Sequence, residues 1–281
     1  MKEIRVTCDS TCDLTKELYT AYGVEAVPMG VYLGEELRRD GVNVQAEELF
    51  DYVNQSSQLP RTSAISVGEY EEVFSRLTGE GRHVIHISLS SELSSSCQNA
   101  CIAAGEVGNV NVIDSRSLSS GSGLLVLMAV ELARSGMGAG EICQVLETAR
   151  EKLDVSFVIQ TLDYLHKGGR CSGVAAFGAN LLKLRPEIVV TDGRMHVGKK
   201  YRGNMEKTIL DYVRGRLEGR TDVDRDRIFI THSGVPAEIV EKVRALVLEL
   251  QPFAEVIETR AGCTISSHCG PNCLGVLFFK K

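Results

Sequence analysis

The first half of the chain alternates short apolar runs with stretches whose apolar residues recur every three or four positions. The segments at residues 4–8, 83–87 and 109–113 are each followed directly by a polar residue and predict strands. The clearest helical period covers 66–77 and opens with Ser-x-x-Glu, the pattern of a capping box. Strands separated by helices of this length indicate a parallel sheet with helices on its faces. A further strand is predicted over 24–33, and further helices over 15–22, 46–53, 93–104, 124–133 and 141–153.

The second half of the chain does not continue this alternation of strands and helices. Two short strands at 187–190 and 195–199 flank Asp192-Gly193, a dipeptide typical of a tight hairpin, so antiparallel pairing is expected here. Apolar residues at three- and four-residue spacing predict an amphipathic helix over 174–184. Further strands are predicted over 155–160, 227–230, 255–258 and 274–279, the last of them inside the sheet, and a helix over 236–250.

These patterns predict an α/β chain of two closely packed domains. Residues 1–155 are expected to form a Rossmann-like domain with a parallel sheet, and residues 156–281 an α/β domain with a mixed sheet. The chain's 281 residues are enough for two such domains, and neither an internal repeat nor a low-complexity linker is visible.

Composition narrows the class of protein. The net charge of -6, the lack of a basic run and the absence of Trp argue against a nucleic-acid-binding surface. The longest apolar run, 124–130, is far shorter than a membrane span, so no integral membrane segment is expected. The opening residues MKEIRVTCDS carry charges where a signal peptide is apolar, which predicts a cytoplasmic protein.

Nine cysteines raise the question of a disulfide, metal or redox site. An odd number in a chain of this size argues against a disulfide framework and favours buried thiols. The segment SSHCGPNC, residues 266–273, keeps a third hypothesis open, a metal or redox site built from Cys263, Cys269, Cys273 and His268. We nevertheless expect no metal and no cofactor, because the usual ligand spacings are missing.

Enzyme signatures are scarce. The chain has no P-loop, no G-x-S-x-G and no H-E-x-x-H, so no catalytic residue is assigned. Ser120-Gly121-Ser122-Gly123 is interpreted as a tight turn. At the predicted strand ends, Asp9 and Asp114, like Ser66, are interpreted as helix caps, whereas the six serines within 88–96 leave a ligand role open.

The segment LDYLHKGGRCSG, residues 162–173, is the most informative. Gly168 and Gly169 permit a tight turn and a close approach to a ligand, and Arg170 could then bind a carboxylate or phosphate. The alternative is a helix end followed by a surface arginine. A small-anion hydrolase or transferase that uses Arg170 and His268 is therefore a second functional hypothesis.

Six spaced motifs, taken together, resemble the DegV family of bacterial lipid-binding proteins, which includes the fatty-acid-binding subunit of fatty acid kinase. The motifs are DSTCDL at 9–14, RTSAIS at 61–66, ISLSSELSSSCQNA at 87–100, VIDSRSLSSGSG at 112–123, YLHKGGR at 164–170 and SHCGP at 267–271. The resemblance implies a long-chain fatty acid such as palmitate in a tunnel between two α/β domains. It also implies a carrier, not itself an enzyme, that presents the acid to a separate kinase for acyl-phosphate formation.

The same resemblance assigns the site residues. It implies that the carboxylate is bound by Thr62, Ser94, Arg170 and His268, with Ser63, Gly169 and Gly270 as supporting residues. The chain departs from the family pattern at Ala64-Ile65, at Ser95-Ser96 and at Asn272, while the hydroxyl, guanidinium and imidazole groups are all present.

Overall fold

The computed structural model describes residues 2–172 and 184–281. The strands are β1 Ile4–Asp9, β2 Glu25–Val27, β3 Gly30–Leu33, β4 Glu36–Arg39, β5 Arg61–Ser63, β6 His83–Ser88, β7 Val110–Asp114, β8 Leu153–Val158, β9 Cys171–Ser172, β10 Arg185–Thr191, β11 Arg194–Tyr201, β12 Val223–Ser233, β13 Glu255–Arg260 and β14 Cys273–Lys280. The helices are α1 Lys16–Tyr22, α2 Ala46–Ser56, α3 Val67–Gly79, α4 Ser96–Val107, α5 Ser119–Arg134, α6 Ala139–Ala149, α7 Asp163–Gly168, α8 Met205–Leu217, α9 Ala237–Leu250 and α10 Cys263–Cys269.

The first half of the chain forms the predicted parallel sheet. Its strand order is β2-β1-β6-β7, and every neighbouring pair is parallel. The capping box is confirmed at α3, where Ser66 Oγ accepts from the amide of Glu69 at 3.3 Å and the Glu69 carboxylate accepts from the amide of Ser66 at 2.9 Å. The carboxyl ends of these strands therefore face one common edge.

The second half forms a seven-stranded mixed sheet with the order β13-β12-β14-β8-β10-β11-β9. The hairpin prediction is confirmed, because β10 and β11 pair antiparallel and Thr191 faces Arg194 across the turn. The prediction for the last strand is also confirmed, since β14 lies between β12 and β8 and pairs antiparallel with both.

A third sheet was not predicted. It is antiparallel, with the order β4-β3-β5. The single strand predicted over 24–33 is wrong, because β2 joins the parallel sheet while β3 joins the small one, and Pro28 between them has no amide hydrogen to continue a ladder. Residues 61–63, for which no strand was predicted, form the edge strand β5.

Helix α5 begins earlier than predicted. Residues 120–123, interpreted as a tight turn, lie in its first turns. A β-carbon on Gly121 would lie 2.7 Å from the Val155 side chain, and one on Gly123 would lie 2.9 Å from the Cys12 carbonyl. The glycines therefore allow this helix to pack closely against its neighbours, and they do not form a loop.

Other helix predictions differ at their ends. Helix α4 begins at Ser96 rather than at residue 93, α6 ends at Ala149, and α8 was not predicted. The helix predicted over 174–184 lies outside the described residues, except for Leu184. Among the described helices, none combines the length and the apolar character needed to traverse a bilayer.

The two halves share one apolar core. Val155, Phe229 and Leu277 from the mixed sheet pack in the same cluster as Leu124 and Leu125 of α5. The predicted boundary at residue 155 falls inside β8, and the division into domains there stays a prediction.

Candidate functional site

A narrow cavity lies where the small sheet, the ends of the parallel strands, α7 and α10 meet. The centre of a water molecule can occupy about 60 Å³ of it. Its polar lining residues are Thr62, Ser63, Ser94, Arg170, Thr264 and His268. Its apolar lining residues include Met29, Leu89, Leu93, Phe157, Leu165 and Ile265.

A second cavity of about 30 Å³ lies directly behind the first and is lined almost entirely by apolar surface. Leu118, Phe157, Ile265 and Cys269 line both cavities. Ser119, Thr231 and His232 also line the second cavity, but almost all of the surface that it exposes is apolar. The two spaces adjoin at the shared residues, and Thr62, Ser94, Arg170 and His268 line only the first, at what we call its polar end.

Thr62 and His268, which are 206 residues apart in the sequence, meet at the polar end. Thr62 Oγ1 lies 2.9 Å from His268 Nε2. Thr62 stands in the middle of β5, and His268 in the last turn of α10. The small sheet and α10 thus bring together the two residues that the sequence placed at a carboxylate.

The imidazole of His268 is neutral. Burial, and after it the nearby Arg170 cation, lowers its pKa to about 4. Its Nδ1 atom is buried without a partner among the described residues, and it faces Gly168, where a β-carbon would lie only 2.4 Å away. With the proton on Nε2, the imidazole donates to Thr62 Oγ1 and leaves the hydroxyl hydrogen of Thr62 for a ligand, whereas with the proton on Nδ1 the hydroxyl donates to Nε2.

Two buried carboxylates fix the start of α10. The amides of Cys263 and Thr264 donate to Asp40 Oδ1 and Oδ2 at 2.8 and 3.0 Å. The amide of Gly262 donates to Asp13 Oδ1 at 2.8 Å. Neither carboxylate was identified from the sequence, since Asp40 and Asp13 lie more than 200 residues from the helix that they hold.

The segment 266–273 is more regular than expected. His268 lies within a helix that Gly270 ends at φ +73°. A β-carbon on Gly270 would lie 2.7 Å from the Tyr164 ring. Asn272, where the family pattern has glycine, adopts φ +56°, a conformation that asparagine tolerates better than most residues. The turn that follows α10 therefore forms with asparagine at this position.

Ser94 lines the cavity, but most serines around it have structural partners. Ser94 Oγ accepts from the amide of Ser96 at 3.2 Å and lies 3.0 Å from Ser96 Oγ. Ser88 Oγ donates to Asp9 at 2.8 Å, and Ser90 Oγ donates to the Gly193 carbonyl at 2.8 Å. Within this serine-rich segment, Ser94 is the residue whose position fits a ligand role.

Arg170 lies at the rim of the cavity. It is exposed, and its Nη1 donates to the carbonyl of Gly168 at 2.7 Å. Gly169 ends α7 in the left-handed region at φ +66°. Ser63, the remaining supporting residue, lies opposite Gly30 on β3, where any β-carbon would collide with its hydroxyl.

Asp9 and Asp114 are not helix caps, and that interpretation is wrong. Asp9 is fully buried and accepts from Tyr70 Oη at 2.5 Å, Ser88 Oγ at 2.8 Å and the Leu89 amide at 2.7 Å. Asp114 accepts from the amides of Ser91 and Arg116 at 3.2 and 2.9 Å. Both carboxylates thus hold the loops beside the cavity.

The side chains around His268 lack two common arrangements of catalytic sites among the described residues. His268 is neutral, and its described hydrogen-bond partner is a hydroxyl rather than a carboxylate, so it lacks the orienting acid of a catalytic triad. No group of three or more His, Cys, Asp or Glu side chains in residues 2–172 and 184–281 could hold a metal ion. Cys263 and Cys273 are free thiols, and burial contributes to raising the pKa of both.

Comparison with known proteins gives a consistent result. A family model described as an uncharacterised protein of the DegV family matches residues 3–281. A DegV domain-containing protein of Deinococcus radiodurans is 33% identical over 276 residues, which cover 97% of each chain.

Solved structures share the whole fold. A DegV family protein from Thermus thermophilus, described as binding fatty acid, is 32% identical with a TM-score of 0.89, and the match covers 100% of both chains. A stearic-acid-binding protein from Eubacterium ventriosum is 25% identical with a TM-score of 0.87, and the match covers 100% of this chain and 99% of the other. A match of this extent settles the family, and the chain belongs to the DegV family.

Proposed function

We propose that this protein binds a long-chain fatty acid, with the carboxylate beside Thr62 and His268 and the acyl chain along the apolar walls. The observation that carries the proposal is the pair of adjoining cavities, of which the first holds the Thr62 and Ser94 hydroxyls, the guanidinium and the imidazole, while the second exposes almost only apolar atoms. The acyl chain would pass Phe157 and Cys269 into the second cavity. Relatives of the same fold that are described as binding fatty acids support this assignment.

The narrowness of the cavities suits an acyl chain. A tube that just fits a polymethylene chain has a radius of about 2 Å and leaves a 1.4 Å probe only about 0.6 Å of radial freedom. A small volume for water centres is therefore compatible with an acyl chain that fits closely. Burial contributes ~0.8 kcal/mol per methylene, so about 14 methylenes supply roughly 11 kcal/mol before the costs of binding.

Two neutral hydroxyls would bind the carboxylate of the fatty acid, with one arginine nearby. With the His268 proton on Nε2, the hydroxyl hydrogen of Thr62 is available to a carboxylate oxygen, and Ser94 is the second hydroxyl at this end. Arg170 at the rim supplies the positive charge, which a buried carboxylate needs nearby. Ser63, Gly169 and Gly270 keep their supporting role, because they shape β5 and the ends of α7 and α10.

The protein would act as a carrier that presents its acid to a separate ATP-dependent kinase. In the proposed orientation the carboxyl group lies at the end of the path near the exposed Arg170, where a second protein could reach it. The acyl chain stays inside, so the phosphorylated product could remain bound.

Mass spectrometry of an organic extract of the purified protein tests lipid binding. A C14–C18 acid at close to one equivalent per chain is expected. The proposal would be abandoned if extracts held no acid and the protein bound none when titrated with hexadecanoate.

Hydroxylamine trapping tests the carrier role. Acyl phosphate is expected when the loaded protein is mixed with ATP and a fatty acid kinase catalytic subunit, and not with ATP alone. Hydroxamate formed by the protein and ATP without the second subunit would make it an enzyme.

A further inference from the structure

Thr264 carries a hydroxyl that the proposed contacts to a simple fatty acid do not use. It lies on α10 exactly one turn before His268, at i and i+4, and its side chain lines the first cavity. The residue is only 3% exposed. Its Oγ1 atom is buried with no hydrogen-bond partner among the described residues.

The other hydroxyls of α10 are satisfied. Ser266 Oγ donates to the Ala261 carbonyl at 3.1 Å, and Ser267 Oγ donates to the Cys263 carbonyl at 2.7 Å. Thr264 is the second residue of the helix, so the carbonyl four residues before it belongs to β13 rather than to the helix. Its backbone is fixed by the hydrogen bond from its amide to Asp40, so the residue cannot move away from the cavity.

An unpaired hydroxyl against an acyl-chain path has a chemical consequence. A buried polar group without a partner is unfavourable, and a ligand that supplies the partner relieves that cost. Thr11 and Thr208 also have unpartnered hydroxyls, but they line neither cavity. A rotation of about 120° about χ1 moves Oγ1 into the position that Cγ2 occupied, so the Thr264 hydroxyl can turn toward a ligand.

We infer that Thr264 makes the site selective for acyl chains that carry an oxygen near the carboxyl group, such as 3-hydroxy acids. The inference rests on the proposed function. Residues at i and i+4 have β-carbons about 5–6 Å apart, which corresponds to roughly four or five bonds of an extended chain. With the carboxylate at His268, an oxygen within about the first five carbons can reach Thr264.

Displacement of a fluorescent fatty acid by three ligands tests the inference. The ligands are hexadecanoate, 3-hydroxyhexadecanoate and 16-hydroxyhexadecanoate, the last placing the same oxygen at the far end of the chain. The native protein is expected to bind the 3-hydroxy acid about three- to tenfold more tightly than hexadecanoate, the gain of one neutral hydrogen bond. The 16-hydroxy acid is expected to bind more weakly than either.

The Thr264→Val variant assigns the effect to the hydroxyl. It should bind hexadecanoate at least as tightly as the native protein and lose its preference for the 3-hydroxy acid, whereas Thr264→Ser should keep that preference. Equal affinity of the native protein for both acids overturns the inference and leaves fatty-acid binding intact. A preference that survives in Thr264→Val overturns it as well. If none of the three acids binds, the proposed function itself fails.

Discussion

At the scale of single residues, the polar end of the cavity contains an uncharged pair, Thr62 and His268. In the tautomer that the proposal uses, His268 donates from Nε2 to Thr62 Oγ1, and the Thr62 hydroxyl hydrogen is available to the ligand. A cationic histidine beside a carboxylate would form an ion pair, but burial and the Arg170 cation keep the pKa of His268 at about 4. Binding would then depend on hydrogen-bond geometry rather than on the charge of the imidazole.

Thr62→Val tests the hydroxyl directly. The substitution removes the donor to the carboxylate and leaves His268 Nε2–H without an acceptor, so the affinity for hexadecanoate is expected to fall about tenfold, or ~1.4 kcal/mol. Calorimetric titration measures the change. Thr148→Val on the exposed face of α6 is the matched control and should bind as the native protein does. Equal affinities of the two variants would remove Thr62 from the site.

The affinity should be nearly independent of pH between 7 and 8.5. His268 stays neutral across this range because its pKa is about 4. Hexadecanoate binding to the native protein is expected to vary less than twofold in that window. A histidine that bound the carboxylate as a cation with an ordinary pKa would instead lose affinity about tenfold per pH unit above 6.5.

At this scale the sequence predicted only some of the residues that shape the cavity. Thr62, Ser94, Arg170 and His268 line one cavity, as their shared motifs suggested, while their contacts with a ligand stay a prediction. The sequence did not identify Asp13, Asp40 and Thr264 as residues of this region, because a single carboxylate or hydroxyl is most often a helix cap or a surface group. Their roles come from contacts between distant segments, which no local pattern encodes.

At the scale of elements, α10 positions the site although it has only seven residues. An isolated helix of this length is unstable, so its packing and the two carboxylates at its start must hold it. Its sequence, CTISSHC, lacks the extended apolar period that identified α3 and α9. The alternating strands and helices of the first half could be predicted because their patterns are local, whereas this helix depends on its surroundings.

The contact of α7 with α10 can be tested at Gly168. A β-carbon there would lie 2.4 Å from His268 Nδ1, so Gly168→Ala should displace the imidazole. We expect at least a tenfold loss of fatty-acid affinity and a loss of about 1–3 kcal/mol in the free energy of unfolding. Titration and urea unfolding measure the two effects.

Gly105→Ala on α4 is the control for that substitution. It has open space around the new methyl group, so it should leave affinity unchanged and raise stability by up to about 1 kcal/mol. Native affinity in Gly168→Ala would show that the imidazole does not depend on this contact.

At the scale of the whole molecule, Asp13 joins the loop after β1 to the loop before α10, 249 residues later. Burial, assisted by the Asp40 carboxylate, raises the pKa of Asp13 to about 8. The folded protein therefore keeps a proton that the unfolded chain releases near pH 4, so stability falls as pH rises toward 8. Asparagine has the same shape, offers the same acceptor to Gly262 and tolerates the positive φ of +50° at this position.

Asp13→Asn is thus expected to weaken the pH dependence of stability. Relative to the native protein, its free energy of unfolding should increase by about 2 kcal/mol between pH 6 and pH 8.5. Urea unfolding at the two pH values measures this difference. Parallel pH profiles for the two proteins would show that Asp13 is ionised in the folded state.

The parallel sheet and the β10–β11 hairpin could be predicted from the sequence, whereas the small antiparallel sheet could not. The parallel sheet follows from strands and helices that alternate in order, and the hairpin follows from Asp192-Gly193. The small sheet could not be predicted from the sequence, because β5 is a three-residue edge strand whose partner in the sheet is β3. Strands that short carry no period of their own, and their pairing is decided by distant residues.

The position of β14 constrains the order in which the protein can fold. This strand separates β12 from β8 in the mixed sheet, and it follows both of them in the sequence. Until residues 273–280 leave the ribosome, β12 with β13 and β8 with β10 have no common partner, and both expose unpaired edges. The parallel sheet can form during synthesis. The part of the mixed sheet in which Phe157 pairs with Gly275 can form only after β14 has been synthesised. A nascent chain is therefore expected to remain unable to hold a lipid, and prone to aggregate through those edges, until its final strand is inserted.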